Sequence, residues 1–159
     1  MIDENQSQSK STMRNIDYFN ACCAVVFDLL YQAFPEKIEL AASDIAKPAQ
    51  DLLRDGEEPR FDDSWDAHKA AFAALEWLWE SDYIRIRGNP NYRFNSFTDC
   101  VLTPKALEAL NATPCGIAPD TEAADATVGA MLRRAVSEGM FQAARNTVTR
   151  TISMALGMG

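Results

Sequence analysis

The chain has 159 residues, 47% of them apolar, so it is long enough to bury a core of its own and too apolar to be disordered throughout. Its net charge of −8 is unevenly spread: residues 128–159 hold four arginines against one glutamate, a balance of +3, which leaves −11 on residues 1–127. An acidic body of that size opposes the long-range attraction behind non-specific nucleic-acid binding. The four cysteines (Cys22, Cys23, Cys100, Cys115) form no CxxC, and His68 is the lone histidine, so neither a metal nor any other cofactor is expected. Cys22 and Cys23 lie in an apolar stretch and read as buried thiols of a reducing, cytoplasmic protein. The first residues lack the basic and apolar regions of a secretory signal.

Residues 1–12 are polar and aperiodic and read as a disordered N-terminus. Ile16, Phe19, Cys23, Val26, Leu30 and Phe34 recur at helical spacing, which predicts a first helix from about Asn15 to Phe34, stopped by Pro35. Cys22, Val25, Phe27, Leu29 and Tyr31 widen its apolar face until it is buried on most sides. Lys37–Leu40 alternates like a short strand. Ser43 is a cap candidate for a second helix; because Pro48 disturbs that start, the helix alternatively begins at Pro48 and ends at Gly56. Gly56 to Asp63 is acidic and turn-rich.

Trp65, Phe72, Leu75, Leu78 and Trp79 predict a third helix over Ser64–Ser81, with Asp62, Asp63 and Ser64 at its positive end. In Tyr83–Arg87 the isoleucines Ile84 and Ile86 face inward and Arg85 and Arg87 outward. Gly88–Asn91 is a turn by composition, and Tyr92–Leu102 returns as a second strand, irregular near Asn95 and Ser96. Thr103 is an N-cap candidate, Pro104 suits the first helical position, and Ala106, Leu107 and Leu110 form a stripe. Residues 113–120, with Pro114, Gly116 and Pro119, read as a linker.

Residues 121–159 are the most regular part. Val128, Leu132, Val136, Met140, Ala144, Val148, Ile152 and Leu156 recur every four residues beside a row that includes Gly139 and Ala143. One helix of roughly 35 residues is predicted, with a ridge and a shallow groove suited to close helix packing. Its unpartnered stripe (Val128, Leu132, Val136, Gly139, Met140, Ala143, Val148, Ile152, Leu156) predicts self-association, most simply as a symmetric dimer.

The segments Leu75–Ile86 and Val101-Leu102-Thr103-Pro104-Lys105-Ala106-Leu107 resemble the helix, strand, wing and final-helix entry of the winged helix-turn-helix superfamily. The resemblance covers about residues 15–112. It implies a mainly α fold with a small β-wing, here a domain over 13–112 with a long C-terminal amphipathic helix appended. Members of that superfamily bind DNA, RNA or proteins, so the resemblance implies no single function. Gly56–Asp63 is longer than the connection usual there.

No phosphate loop, GxSxG or HExxH is present, and Asp62, Asp63, Asp66 and His68 read as a solvated helix start, so catalysis is not expected. Three surfaces remain. Arg85, Arg87, Asn89, Asn91 and Arg93 are candidate nucleic-acid contacts. Ala70, Ala73 and Trp77 make an apolar patch where a DNA reader would be polar, a candidate protein contact unless the first helix or the Gly56–Asp63 insertion covers it. The C-terminal helix is amphipathic and cationic, but Phe141 is its only aromatic, so membrane association ranks last. The reading is a non-enzymatic interaction module that self-associates and binds a protein, with a small dimeric DNA-binding regulator as the alternative.

Overall fold

A computed structural model describes residues 4–53, 64–112 and 127–157. The described chain is mainly helical with one three-stranded antiparallel sheet. The predicted linker, the Gly56–Asp63 segment and Cys115 lie outside the described residues.

Helix α1 (Glu4–Ala33) is the central element. Residues Ala21 to Asp28 are all buried, so the helix has no free face along two turns. It starts at Glu4, well before the apolar period begins and in place of the expected disordered segment. Once the packed part is nucleated, each added turn costs little, and a polar extension can continue the ladder. Burial raises the Cys22 thiol to about 12 and holds Cys23 well above the ordinary thiol value, so both are packing groups and not nucleophiles.

Strand β1 (Ile38–Ala41) leads directly into helix α2 (Ala42–Leu53). The side chain that caps α2 is Asp44, not Ser43: its Oδ2 accepts from the Ala41 N–H at 3.0 Å, the back-reaching half of a capping box. Pro48 lies inside this helix and does not restart it. Ile45, Ala46, Ala49, Leu52 and Leu53 are buried around it, which outweighs the one ladder bond proline removes.

Helix α3 (Ser64–Glu80) is followed by strand β2 (Ile84–Arg85) and strand β3 (Ser96–Leu102), with β3 in the middle of the sheet in the order β1-β3-β2. Leu40 pairs with Phe97 and Ile38 with Cys100, so β3 carries one residue more than β1 between them. Asp99 sits in that bulge with a left-handed φ of 53°. The extra residue puts Phe97 and Cys100 on the same inward face, both fully buried, where strict alternation would send one to solvent. Strand β3 is also shorter than expected. Residues 92–95 form a turn closed by paired Asn91 and Ser96 backbones (2.8 and 3.1 Å), with Asn95 left-handed at φ 48°.

Helix α4 (Pro104–Asn111) is capped by Thr103 with Pro104 in its first turn, as expected. The same hydroxyl donates to the Asp82 carbonyl at 2.8 Å, tying the start of α4 to the end of α3.

The single long C-terminal helix is not formed. Helix α5 (Val128–Ser137), capped by Thr127, ends two residues before Gly139, and helix α6 (Phe141–Ala155) follows. Met140 N–H donates to the Ala135 carbonyl at 2.8 Å and Gly139 N–H to Val136 at 3.2 Å, with Gly139 at φ 69°. That is a Schellman stop with glycine at its left-handed position. Both helices pack on α1 and α4. Val128, Leu132, Ala144 and Val148 are fully buried in the same core as Phe27 and Leu110.

Charge joins this hairpin to α1. Arg145 lies 3.9 Å from Asp17, and Arg133 lies 3.8 Å from Asp28. Oδ1 of Asp28 is buried without a hydrogen bond, since 3.8 Å is beyond reach of one. Burial raises the Asp28 carboxyl above its ordinary value, and the Gln32 hydrogen bond and Arg133 charge only partly offset this. A carboxyl raised on folding binds its proton more tightly in the native state, so its contribution to stability falls as pH rises through the window above 3.8. Asp28→Asn is therefore expected to raise the melting temperature at neutral pH, with the gain shrinking to nothing as pH falls below the ordinary carboxylate range. Paired thermal melts at about pH 3 and about pH 7.5 check this.

Candidate functional site

Helix α3 turns one side to the core through Ala67, Ala71, Ala74, Leu75 and Leu78, all buried. Its exposed side carries Lys69, Ala73, Trp77 and Glu80, with Glu76 half-buried beside them. Lys69, Ala73, Trp77 and Glu80 are four, four and three residues apart and make one ridge, with Glu76 beside it. A hollow lies on each side of it.

On the α1 side is a groove of about 280 Å³ lined by Asn15, Tyr18, Phe19, Ala70, Ala73, Ala74 and Trp77. The Phe19 ring meets Trp77 edge-on with centroids 5.2 Å apart, and Trp77 stacks on Tyr83 at 5.7 Å and 15°. These contacts fix the indole, yet it stays 40% exposed. The first helix therefore borders the expected Ala70–Ala73–Trp77 patch and does not cover it. Tyr18 closes the floor by donating to the Ala67 carbonyl at 2.9 Å. An immobilised aromatic in an apolar hollow has already lost the freedom that binding would cost it.

On the opposite side is a cleft of about 330 Å³ between α3 and the β2–β3 turn, lined by His68, Lys69, Phe72, Tyr92, Arg93 and Asn95. Tyr92 packs edge-on to Phe72 at 5.7 Å, and its hydroxyl donates to Glu76 Oε2 at 3.4 Å. Tyr92 is 63% exposed and Phe94 67%. Compared with known protein families, with curated proteins and with solved structures, the chain matches none. The chemistry of these two hollows is thus the basis for a functional reading.

Each candidate residue now has a place. Strand β2 is shorter than the expected Tyr83–Arg87: Ile84 is buried and Arg85 exposed within it, and Ile86, half-buried, and Arg87, exposed, follow its end. Arg87 lies 3.8 Å from Asp99 in an exposed pair, too weak to hold it. Asn89 is exposed. The Asn91 side chain accepts from the Arg93 and Phe94 N–H groups at 3.1 and 3.3 Å, so it holds the turn and is not offered to a ligand. Arg93 stands at the turn tip with its guanidinium 5.5 Å from the Phe94 ring centroid.

The C-terminal set is split between core and surface. Val128, Leu132 and Val148 are buried within the chain, and Val136, Ala143 and Ile152 are half-buried. Gly139, Met140 and Leu156 are exposed. The stripe that needed a partner has one in α1 and α4, which removes the reason for self-pairing through it.

Side chains of Asp62, Asp63 and Asp66 lie outside the described residues. Among the described residues no three His, Cys, Asp or Glu side chains are placed to hold a metal ion, and no helix is long and apolar enough to cross a membrane. Sequence reasoning missed Phe19, Lys69, Tyr92 and Phe94. For Phe19 the signal was its place one turn from Cys23 on an already crowded helix face; for Tyr92 and Phe94 it was the asparagines on both sides, which favour a turn over a strand.

Proposed function

We propose that this chain is a non-enzymatic interaction module on a winged-helix scaffold, and that it binds a protein partner in the groove between α1 and α3. The scaffold reading is supported by the element order α1-β1-α2-α3-β2-β3 and the sheet order β1-β3-β2, together with the sequence resemblance. In this scaffold α3 stands where a DNA-reading helix would be.

The observation that carries the reading is the outer ridge of α3. It offers Ala73 and a pinned Trp77, with Glu76 and Glu80 alongside. A duplex reader presents arginine, lysine, asparagine, glutamine or serine there, and carboxylates would face phosphates. An immobilised tryptophan in an apolar hollow is instead what a protein hot spot offers. The groove takes one or two apolar side chains of a partner helix or loop.

Ala73→Glu tests this without removing a core contact, because Ala73 is exposed. It is expected to abolish capture of the partner from the native cell while changing stability by no more than about 0.5 kcal/mol. Capture of the same proteins by the wild type and the variant would rule out the groove.

A further inference from the structure

Four arginines give the C-terminal hairpin its positive charge, and three of them face an acidic partner. Arg133 faces Asp28 and Arg145 faces Asp17, both on α1, and Arg134 donates to Glu138 at 3.2 Å. Among the described residues Arg150 has no such partner. It lines instead a cavity of about 370 Å³ between α5 and α6, with Val128 and Met131 from α5 and Ala143, Asn146 and Thr147 from α6. On α6 these positions follow one another at three or four residues, as do Val128 and Met131 on α5, so each helix gives the cavity one face. The Thr147 hydroxyl donates to the Ala143 carbonyl at 2.8 Å, so its proton is committed to the helix. The remaining side-chain donors are the Asn146 amide and the Arg150 guanidinium, both exposed. Opposite them stands an apolar wall of Val128, Met131 and Ala143.

We propose that this cavity binds a small organic monocarboxylate with an apolar body. Arg150 and Asn146 hold its carboxylate, and Val128, Met131 and Ala143 cover its apolar part. A guanidinium meets a carboxylate with two parallel N–H bonds, and one cation balances one negative charge. A phosphate or a dicarboxylate would leave a second charge against the apolar wall with no cation to meet it. The volume, about 370 Å³, lies in the lower part of the range for small-molecule sites, about 300–1,000 Å³. Val128 also opens α5, so the positive end of that helix lies at the same wall and favours an anion. A ligand that touches both helices ties the two arms of the hairpin together across the turn at Gly139. Binding is therefore expected to appear as added thermal stability.

The test is isothermal titration calorimetry of the full chain with sodium octanoate, with octanol and inorganic phosphate as comparisons, and thermal melts in the presence of each. Octanoate is expected to saturate a single site and to raise the melting temperature. Octanol, which lacks the charge, is expected to bind about tenfold more weakly or worse, and phosphate not to bind. Arg150→Gln is expected to weaken octanoate about tenfold or more and to leave octanol unchanged. Arg150 is exposed, so the fold is not at stake. Met131→Glu sets a carboxylate on the apolar wall and is expected to abolish binding of both octanoate and octanol. Met131 is 40% exposed, and without ligand this variant is expected to melt with the parent chain. Octanoate failing to bind, octanol or phosphate binding as tightly as octanoate, or octanoate binding unchanged in Arg150→Gln would each overturn the proposal. The groove between α1 and α3 shares no lining residue with this cavity, so the protein-contact reading stands or falls by its own test.

Discussion

Replacing Gly129 with alanine is expected to lower the melting temperature by about 5–10 °C. A Cβ at this position would stand 2.5 Å from Cε1 and Cζ of the Tyr31 ring, closer than side chains tolerate. The ring cannot swing aside freely, because its hydroxyl donates to Asn111 Oδ1 at 2.9 Å and lies 3.4 Å from Thr127 Oγ1. Gly129 thus lets α5 lie against the Tyr31 ring of α1, whose hydroxyl also reaches Asn111 at the end of α4. Forcing a methyl group into such a contact costs about 2–3 kcal/mol, which for a chain of this size is the stated shift in melting temperature. Tyr31→Leu in the same chain gives the methyl group room, so the double variant should lose less than the sum of the two single ones. Additive losses would show that the contact is not the cause.

Truncation after Asp120 is expected to abolish cooperative unfolding. Val128, Leu132 and Val148 are fully buried in the one core that also holds Phe27, Leu30 and Leu110. At about 1.5–3 kcal/mol for each buried side chain, these three alone contribute about 5–9 kcal/mol. The whole margin of a folded domain is about 5–15 kcal/mol. Without α5 and α6 the face of α1 around Tyr31 and Asp28 also meets water, and the truncated chain should melt without a transition or aggregate. A helix that served only to join two copies would give the opposite result, a shorter chain that still unfolds cooperatively. Circular dichroism melts of the two chains separate these outcomes.

Most elements before residue 112 were legible in the sequence, and the reasons are local. The Thr103-Pro104 start of α4 is written in two residues, and the inward Ile84 and outward Arg85 of β2 follow from a period of two. What was not legible depended on contacts between distant segments. The four-residue ridge from Val128 to Leu156 reads the same on one straight helix as on two helices folded back over α1. Only the left-handed φ of Gly139 tells them apart, and a glycine in a row of small residues does not announce which role it has. The charge asymmetry was visible, but its meaning was not: two of the C-terminal arginines face Asp17 and Asp28 of α1, so part of the basic tail binds the acidic body of its own chain. In the β2–β3 turn, Tyr92-Arg93-Phe94 alternates as a strand would, and the hydrogen bonds of Asn91 are what fold it away from the sheet. The apolar patch at Trp77 was expected from helical spacing, and in the fold Ala73 and Trp77 are exposed while Ala70 is half-buried against the core. That Phe19 would stand across from it could not be read, since nothing local relates α1 to α3.

The most direct test of the protein-contact reading is site-specific photo-crosslinking in the native cell, with a benzophenone side chain placed at Ala73 in the groove and, as a control, at the exposed Gln142 on α6. A discrete protein adduct from position 73 that is absent from position 142 is the result expected if the groove of α3 is the partner surface. Equal adducts at both positions, or none at 73, would contradict it.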